Sequence, residues 1–367
     1  MDKIYQIALT LVPKVGDVAA KKLIAYCGSA EHVFKESRTN LMRIPGIGSV
    51  MANCIVSQRV FAEAESELRF IEQHQIKPIY FMDEDYPFRL KRCVDAPMLL
   101  YLKGVEKFNL NAKKIISVVG TRSASDYGKW ITDTLVNGLS CLDGLVVVSG
   151  LAYGIDVAAH KASLKHAIPT LGVLAHGLDR MYPFVHRQLS VEMQKTGALL
   201  TEFRGGTKPE RENFPKRNRI IAGLSDATLV VEARKKGGAL ITADIANSYN
   251  RDVFAVPGRV GDESSAGCNQ LIRRNKAALV QSAADVCYLM GWDEQTNKKS
   301  QKPAPIFNDL SSDQIRLLEA MSANEKTSIN QLFMRLKLPI SNIMNLLFQL
   351  ELKGLVKGFP GNQYAKV

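Results

Sequence analysis

Between Ile115 and Asp156 the chain reads I-I-S-V-V-G-T-R-S-A-S-D-Y-G, a segment with helical spacing, then L-V-V-V-S-G-L-A-Y-G-I-D. Two apolar, β-branched runs, Ile115–Val119 and Leu145–Val148, each break into a polar, glycine-bearing turn that opens a helix pattern. This is a strand–loop–helix unit used twice, with both loops at the carboxyl ends of parallel strands. Glycine lets the backbone approach a ligand, and helices that start there aim unpaired N–H groups and positive dipole ends at one place. Gly120, Gly150 and Gly154 are therefore expected to help hold an anion, a phosphate above all, beside Arg122. A tight turn alone would explain any one of these glycines. Two such loops in tandem, one carrying an arginine, favour the ligand.

The alternation continues through Thr170–Ala175, Ala198–Glu202, Ala227–Glu232, Val253–Val256 and Ala278–Val280, with helix patterns at His186–Thr196, Arg219–Leu224 and Gly238–Tyr249. Strands this apolar are covered on both faces, which predicts a parallel sheet, and right-handed crossovers put every strand-end loop on one edge. The fold class expected is α/β, doubly wound, with Asp95–Gly104 as one more strand and a domain boundary near residue 80.

What the edge loops contain decides the ligand class. There is no G-x-G-x-x-G after the first strand and no G-x-x-x-x-G-K-[ST], which disfavours dinucleotides and triphosphates. No serine elbow, cysteine–base pair or metal cluster is visible, and no cofactor is expected. The richest loop, Arg204–Arg219, has six cations (Arg204, Lys208, Arg211, Lys216, Arg217, Arg219) against Glu210 and Glu212, together with Phe214 and Asn218. Cations, an amide and an aromatic suit a nucleic-acid strand whose backbone is clamped and whose bases stack. The formal charge of +12 on 367 residues agrees with a polyanionic partner. The six cysteines lie far apart without a C-x-x-C pair, and neither a leader nor a membrane-spanning run is visible, so a cytoplasmic protein is expected.

The two ends have their own patterns. Val12-Pro13-Lys14-Val15-Gly16 and Ile44-Pro45-Gly46-Ile47-Gly48 each stand between two helix patterns, which resembles a tandem helix-hairpin-helix domain over residues 1–79. Such a turn can offer N–H groups to DNA phosphates, yet Pro-Gly hinges also join helices that merely pack. After a polar linker, 293–308, three short helix patterns and a glycine-turned hairpin follow in the order of a winged helix, 309–367. Its third helix offers only Lys353 as a cation.

Taken in order, V-V-G-T-R-S-A-S-D-Y-G, V-V-S-G-L-A-Y-G-I-D-V-A-A-H, G-L-D-R-M-Y-P, N-F-P-K-R-N-R-I-I-A-G-L-S, V-V-E-A, L-I-T-A-D-I-A and V-F-A-V-P-G are similar to the DprA family, also called Smf, the DNA-processing proteins of bacterial natural transformation. The resemblance implies an extended Rossmann-like domain, 80–292, that binds single-stranded DNA, forms a homodimer and helps load the recombinase RecA. By motif it casts Gly120, Thr121 and Arg122 as phosphate ligands, with Gly150 and Gly154 for close approach. Lys216, Arg217, Asn218 and Arg219 become a basic wall, and Gly238 and Thr242 a further phosphate-facing helix start. Gly237, Ala175-His176 and Phe203-Arg204 depart from the family pattern without removing a cation. The reading is of a binding protein rather than an enzyme. The alternative is a hydrolase cutting nucleoside monophosphates at the N-glycosidic bond, with Glu202 or Glu232 as the acid.

Overall fold

Alternate residues of the central strands face opposite sides of one sheet, and both sides are apolar. In β3 (Lys114–Val119), Ile115 and Val119 enter one core while Ile116 and Val118 enter the other; Val146 and Val148 are likewise separated from Leu145 and Val147 in β4 (Leu145–Ser149). The computed structural model describes residues 2–292, 310–321, 326–353, 355–359 and 361–366; the expected linker, 293–308, lies outside them. Two compact units are present, Met1–Asp293 and Glu294–Val367.

The first unit opens with α1 (Asp2–Leu11), α2 (Asp17–Cys27), α3 (Ala30–Lys35), α4 (Arg38–Met42), α5 (Ser49–Val56) and α6 (Phe61–Gln73). Gly16 and Gly48 are the N-cap residues of α2 and α5, and Lys14 and Gly46 turn the two hinges with positive φ. Then come β1 (Lys77–Tyr80), α7 (Phe88–Lys91), β2 (Leu99–Gly104), β3, α8 (Asp126–Leu139), β4, α9 (Ile155–Lys165) and β5 (Thr170–Val173). A short 3-10 turn (Phe184–His186) leads to α10 (Arg187–Thr196), β6 (Ala198–Thr201), α11 (Asn213–Leu224), β7 (Ala227–Val230), α12 (Gly238–Ser248), β8 (Asp252–Ala255), α13 (Ala266–Arg273), β9 (Ala278–Leu279) and α14 (Ala283–Met290).

The sheet order is β1-β2-β6-β5-β4-β3-β7-β8-β9. From β6 to β9 all neighbours are parallel, as the apolar runs predict. The β1–β2 edge differs: β2 pairs antiparallel with β6, and β1 antiparallel with β2. No crossover helix of full length separates β1 from β2, so the chain returns in the opposite direction. The helical region packs on this edge, where Met98, Leu99 and Tyr101 share a core with Leu9, Leu23 and Ile71.

The order of the strands sets the ligand edge. The chain proceeds outward from β3 through β4, β5 and β6, then crosses back to β7 on the other side of β3. The loops after β3 and β7 consequently diverge, leaving a crevice at the carboxyl ends of these strands.

The second unit contains α15 (Ser312–Ala320), β10 (Thr327–Ser328), α16 (Ile329–Leu336), α17 (Ile340–Leu352), β11 (Val356–Phe359) and β12 (Gln363–Lys366), with sheet order β10-β12-β11. Ser311 with Gln314 and Ser328 with Gln331 form capping boxes that start α15 and α16. This is the three-helix, hairpin-ended arrangement of a winged helix. Among the described residues, no helix is long and apolar enough to cross a membrane.

Candidate nucleic-acid interface

A cleft of about 260 Å³ lies in the crevice between β3 and β7. The loop after β3 forms one wall with Gly120, Thr121 and Arg122; Phe214, Arg217 and Asn218 of α11 form another; Gly237, Gly238 and Thr242 at the start of α12 form a third. Three neighbours hold the first loop in place: Thr121 N donates to Glu232 O (2.8 Å), Ile155 N donates to Thr121 O (3.2 Å), and Val231 N donates to Val119 O (3.1 Å). Gly237 caps α12 without a side-chain acceptor, so the N–H groups of its first turn open onto the cleft. Four cations line this space, Arg122, Arg217, Arg234 and Lys236, against the single carboxylate of Asp156. The cleft is electropositive.

The aromatic ring and the cations are stacked. Arg122 is exposed and its guanidinium lies 5.0 Å from the centroid of Phe214, with Arg217 at 6.0 Å on the same ring. Arg217, however, is 4% exposed, and its Nη1 donates to Gly150 O (2.5 Å) and Val173 O (2.6 Å), while Nε donates to Asn218 Oδ1 (3.1 Å). Burial pushes its pKa down to about 10, with nearby Asp156 opposing; burial raises that of Asp156, with Arg217 opposing. Arg217 thus braces the loop ends of β4 and β5 from behind and supplies charge to the cleft at short range. Asn218 Nδ2 reaches Gly238 O (3.4 Å), and Thr242 Oγ1 donates to the same carbonyl (3.0 Å), which ties α11 to α12.

The expected basic wall of Lys216, Arg217, Asn218 and Arg219 is corrected here: it is divided between two clefts. The Arg204–Arg219 stretch is not one loop: α11 begins at Asn213, so residues two apart point to different sides. Lys216 and Arg219 face a separate cleft of about 630 Å³ between the helical region and β2, beside Asp17, Asp95 and Glu202. There Arg219 is bound to Glu202, to the carbonyl of Asp95 and to Asp17 (3.3 Å), with 12% of its side chain exposed. It is a strut between the helices and the sheet.

The three glycines of the opening unit also have no room for a side chain. A Cβ on Gly120 would meet Ile155 at 2.4 Å, one on Gly150 the Arg217 guanidinium at 2.3 Å, and one on Gly154 the carbonyl of Thr121 at 2.1 Å. Gly154 additionally has φ +77°. These positions are small so that loop packs on loop; the room for a ligand lies at Gly237 and Gly238, where a Cβ would meet nothing closer than 3.8 Å. Arg234, Lys236 and Asp156 also line the cleft and are not among the residues expected from the sequence. The run Arg234-Lys235-Lys236 immediately before the Gly237-Gly238 helix start was the available signal for the first two.

Neither carboxylate considered for hydrolysis lines this cleft. Glu232 is 1% exposed and accepts from Ser125 N (2.9 Å) and Ser125 Oγ (2.5 Å), fixing the start of α8. Glu202 is the partner of Arg219.

The fold and the cleft define a class: a Rossmann-like protein with a cationic site at the switch point of its sheet and an appended winged helix. The family model of DNA recombination-mediator protein A matches residues 77–291, and that of the DprA winged helix domain residues 301–362. Protein Smf of Synechocystis is 34% identical over the whole of this chain and 99% of its own length, and the DNA processing protein DprA of Bacillus subtilis 42% identical over 58% of this chain and 70% of its own. Among solved structures, DprA of Streptococcus pneumoniae superimposes with a TM-score of 0.66 at 33% identity, covering 78% of this chain and 96% of its own. DprA of Helicobacter pylori, described for its single-stranded DNA binding mode, gives 0.54 at 27%, covering 60% and 97%. The chain belongs to the DprA/Smf family.

Proposed function

We propose that this protein binds single-stranded DNA without sequence preference, shelters incoming strands and helps load RecA in natural transformation, acting as a homodimer in the cytoplasm. The observation that carries the reading is the cleft between β3 and β7, where Arg122, Arg234 and Lys236 surround the open start of α12 and Phe214 offers a ring. Phosphate in such a site is held by charge and by main-chain N–H groups, which are blind to base identity. Phe214 supplies a face on which any base can stack. Gly120, Thr121, Gly150, Gly154, Arg217, Asn218 and Thr242 shape and tether the walls, and Gly238 leaves room for the ligand's backbone. The helical region, the Rossmann-like domain and the winged helix are proposed as separate functional parts, with boundaries near residues 80 and 293.

The test is a comparison of single- and double-stranded DNA of mixed sequence, with RecA added to the preformed complex. Tighter binding to the single strand and faster RecA filament formation support the proposal; equal binding to both, or no effect on RecA, counts against it. The hydrolase alternative has one carboxyl in position, that of Asp156. Purified protein is expected to release no free base from nucleoside monophosphates, and release that disappears in Asp156→Asn would replace the binding account with an enzymatic one.

A further inference from the structure

Beyond Phe214 the carboxyl edge continues over the loops after β4 and β5, and three aromatic rings stand open there. Tyr153 is 48% exposed, Tyr182 44% and Phe184 71%. Two histidines position Tyr153 and Tyr182. Tyr182 N donates to Nε2 of His176 (3.2 Å), His186 Nδ1 lies 2.9 Å from Leu151 O, and the Tyr153 ring packs edge-on against His186 at 5.3 Å. Tyr182 also meets Phe214 edge-on at 6.1 Å, so the open rings continue directly from the aromatic floor of the phosphate cleft. A small notch lined by Arg122, Tyr153, Tyr182 and Phe214 joins the two regions. Cations accompany the rings, Arg122 over Phe214 and Arg187 at 5.9 Å over Phe184.

Aromatic rings left largely exposed are poised to receive flat ligands, and neighbouring ones mark an interaction surface. Continuity with the cleft and the interleaved arginines select the occupant, since aromatic faces alternating with cations suit the bases and phosphates of one strand. Resting on the single-strand reading of the cleft, we infer that Tyr153, Tyr182 and Phe184 form a base-stacking shelf. The backbone lies between β3 and β7, and the bases turn outward over the loops that follow β4 and β5. The strand then has a polarity of contact: phosphates on the α12 side, bases on the β5 side.

The experiment compares an ordinary oligonucleotide with an abasic one of equal length, at one salt concentration, using the full chain. Tyr182→Ala/Phe184→Ala is expected to weaken binding of the ordinary strand about thirtyfold or more and to leave the abasic strand unaffected. Tyr182→Phe/Phe184→Tyr restores wild-type binding. Arg122→Ala weakens both strands. The shelf is overturned if the alanine pair binds the ordinary strand like wild type while Arg122→Ala weakens it, or if the pair loses both strands equally. Failure of Arg122→Ala to weaken either strand would bring down the cleft reading itself, and the shelf with it. Should the pair melt early, Phe184→Ala alone, at the most exposed ring, answers the same question.

Discussion

Arg217 and Lys216 are adjacent in a run of cations, yet the helix turns one into the interior and leaves the other on the surface. Arg217→Ala would deprive the carbonyls of Gly150 and Val173 of a buried donor. At ~1–3 kcal/mol for each buried acceptor, a loss of at least about 2 kcal/mol of stability is expected. Lys216→Ala should leave the melting temperature unchanged, and thermal melts of the two variants check the contrast. Glu202 offers a pH test. Burial pushes its carboxyl up to about 7, against the opposing pull of Arg219 and Lys216 and with Asp17 and Asp95 reinforcing the rise. Since the unfolded value is 4.5, the native state retains a proton that the unfolded chain has released between these limits. Stability from this site therefore falls as the pH rises from 4.5 through 7. His160, lowered to about 3 by burial, acts in the opposite sense, its contribution being lost as the pH falls below 6.5. It is common to wild type and Glu202→Gln, so the difference between their melting temperatures isolates Glu202. Wild type should lose more stability than the variant between about pH 5 and 8, and parallel curves would refute the assignment.

Among the elements, the strands and their order of alternation with helices were legible because burial on both faces of a parallel sheet leaves uninterrupted apolar runs such as Ile115–Val119 and Leu145–Val148. The cationic cleft was legible as a place, the carboxyl edge, but its wall residues only in part. Charge shows a position's chemistry and not its direction: Lys216, Arg217 and Arg219 read alike until α11 is known to begin at Asn213. Glycine is similarly ambiguous, because a turn, a ligand and a tightly packed neighbour all favour a missing Cβ. The structure separates these cases, and a pair of variants tests the separation. Gly154→Ala combines φ +77° with a 2.1 Å clash against Thr121 O and is expected to destabilise the loop after β3, seen as a lowered melting temperature. Gly238→Ala has room and should fold like wild type, while its added methyl crowds the phosphate and lowers affinity for single strands. Reduced stability in Gly238→Ala, or an unaffected Gly154→Ala, would show the two roles to be misassigned.

For the molecule as a whole, the cations that line a cleft belong to the first unit, and the third helix of the winged helix carries none. α17 has no cation between Ile340 and Leu352, and its outward residues Ile340, Met344 and Phe348 are 43%, 50% and 60% exposed. Such a face lacks the phosphate contacts that dominate non-specific affinity. A chain ending at residue 292 is accordingly expected to keep single-strand affinity within about tenfold, or ~1.4 kcal/mol, of the full chain; a greater loss would make the second unit a DNA module. The proposed binding rests on Arg122 and the crevice between β3 and β7, which a salt titration probes. Affinities of wild type and Arg122→Ala for two unrelated single strands, measured across salt with melts in parallel, should show equal weakening on both sequences at an unchanged melting temperature. The slope of log affinity against log salt should be shallower by ~0.7, the value of one single-strand phosphate contact. A folded Arg122→Ala protein with wild-type affinity and slope would contradict the account.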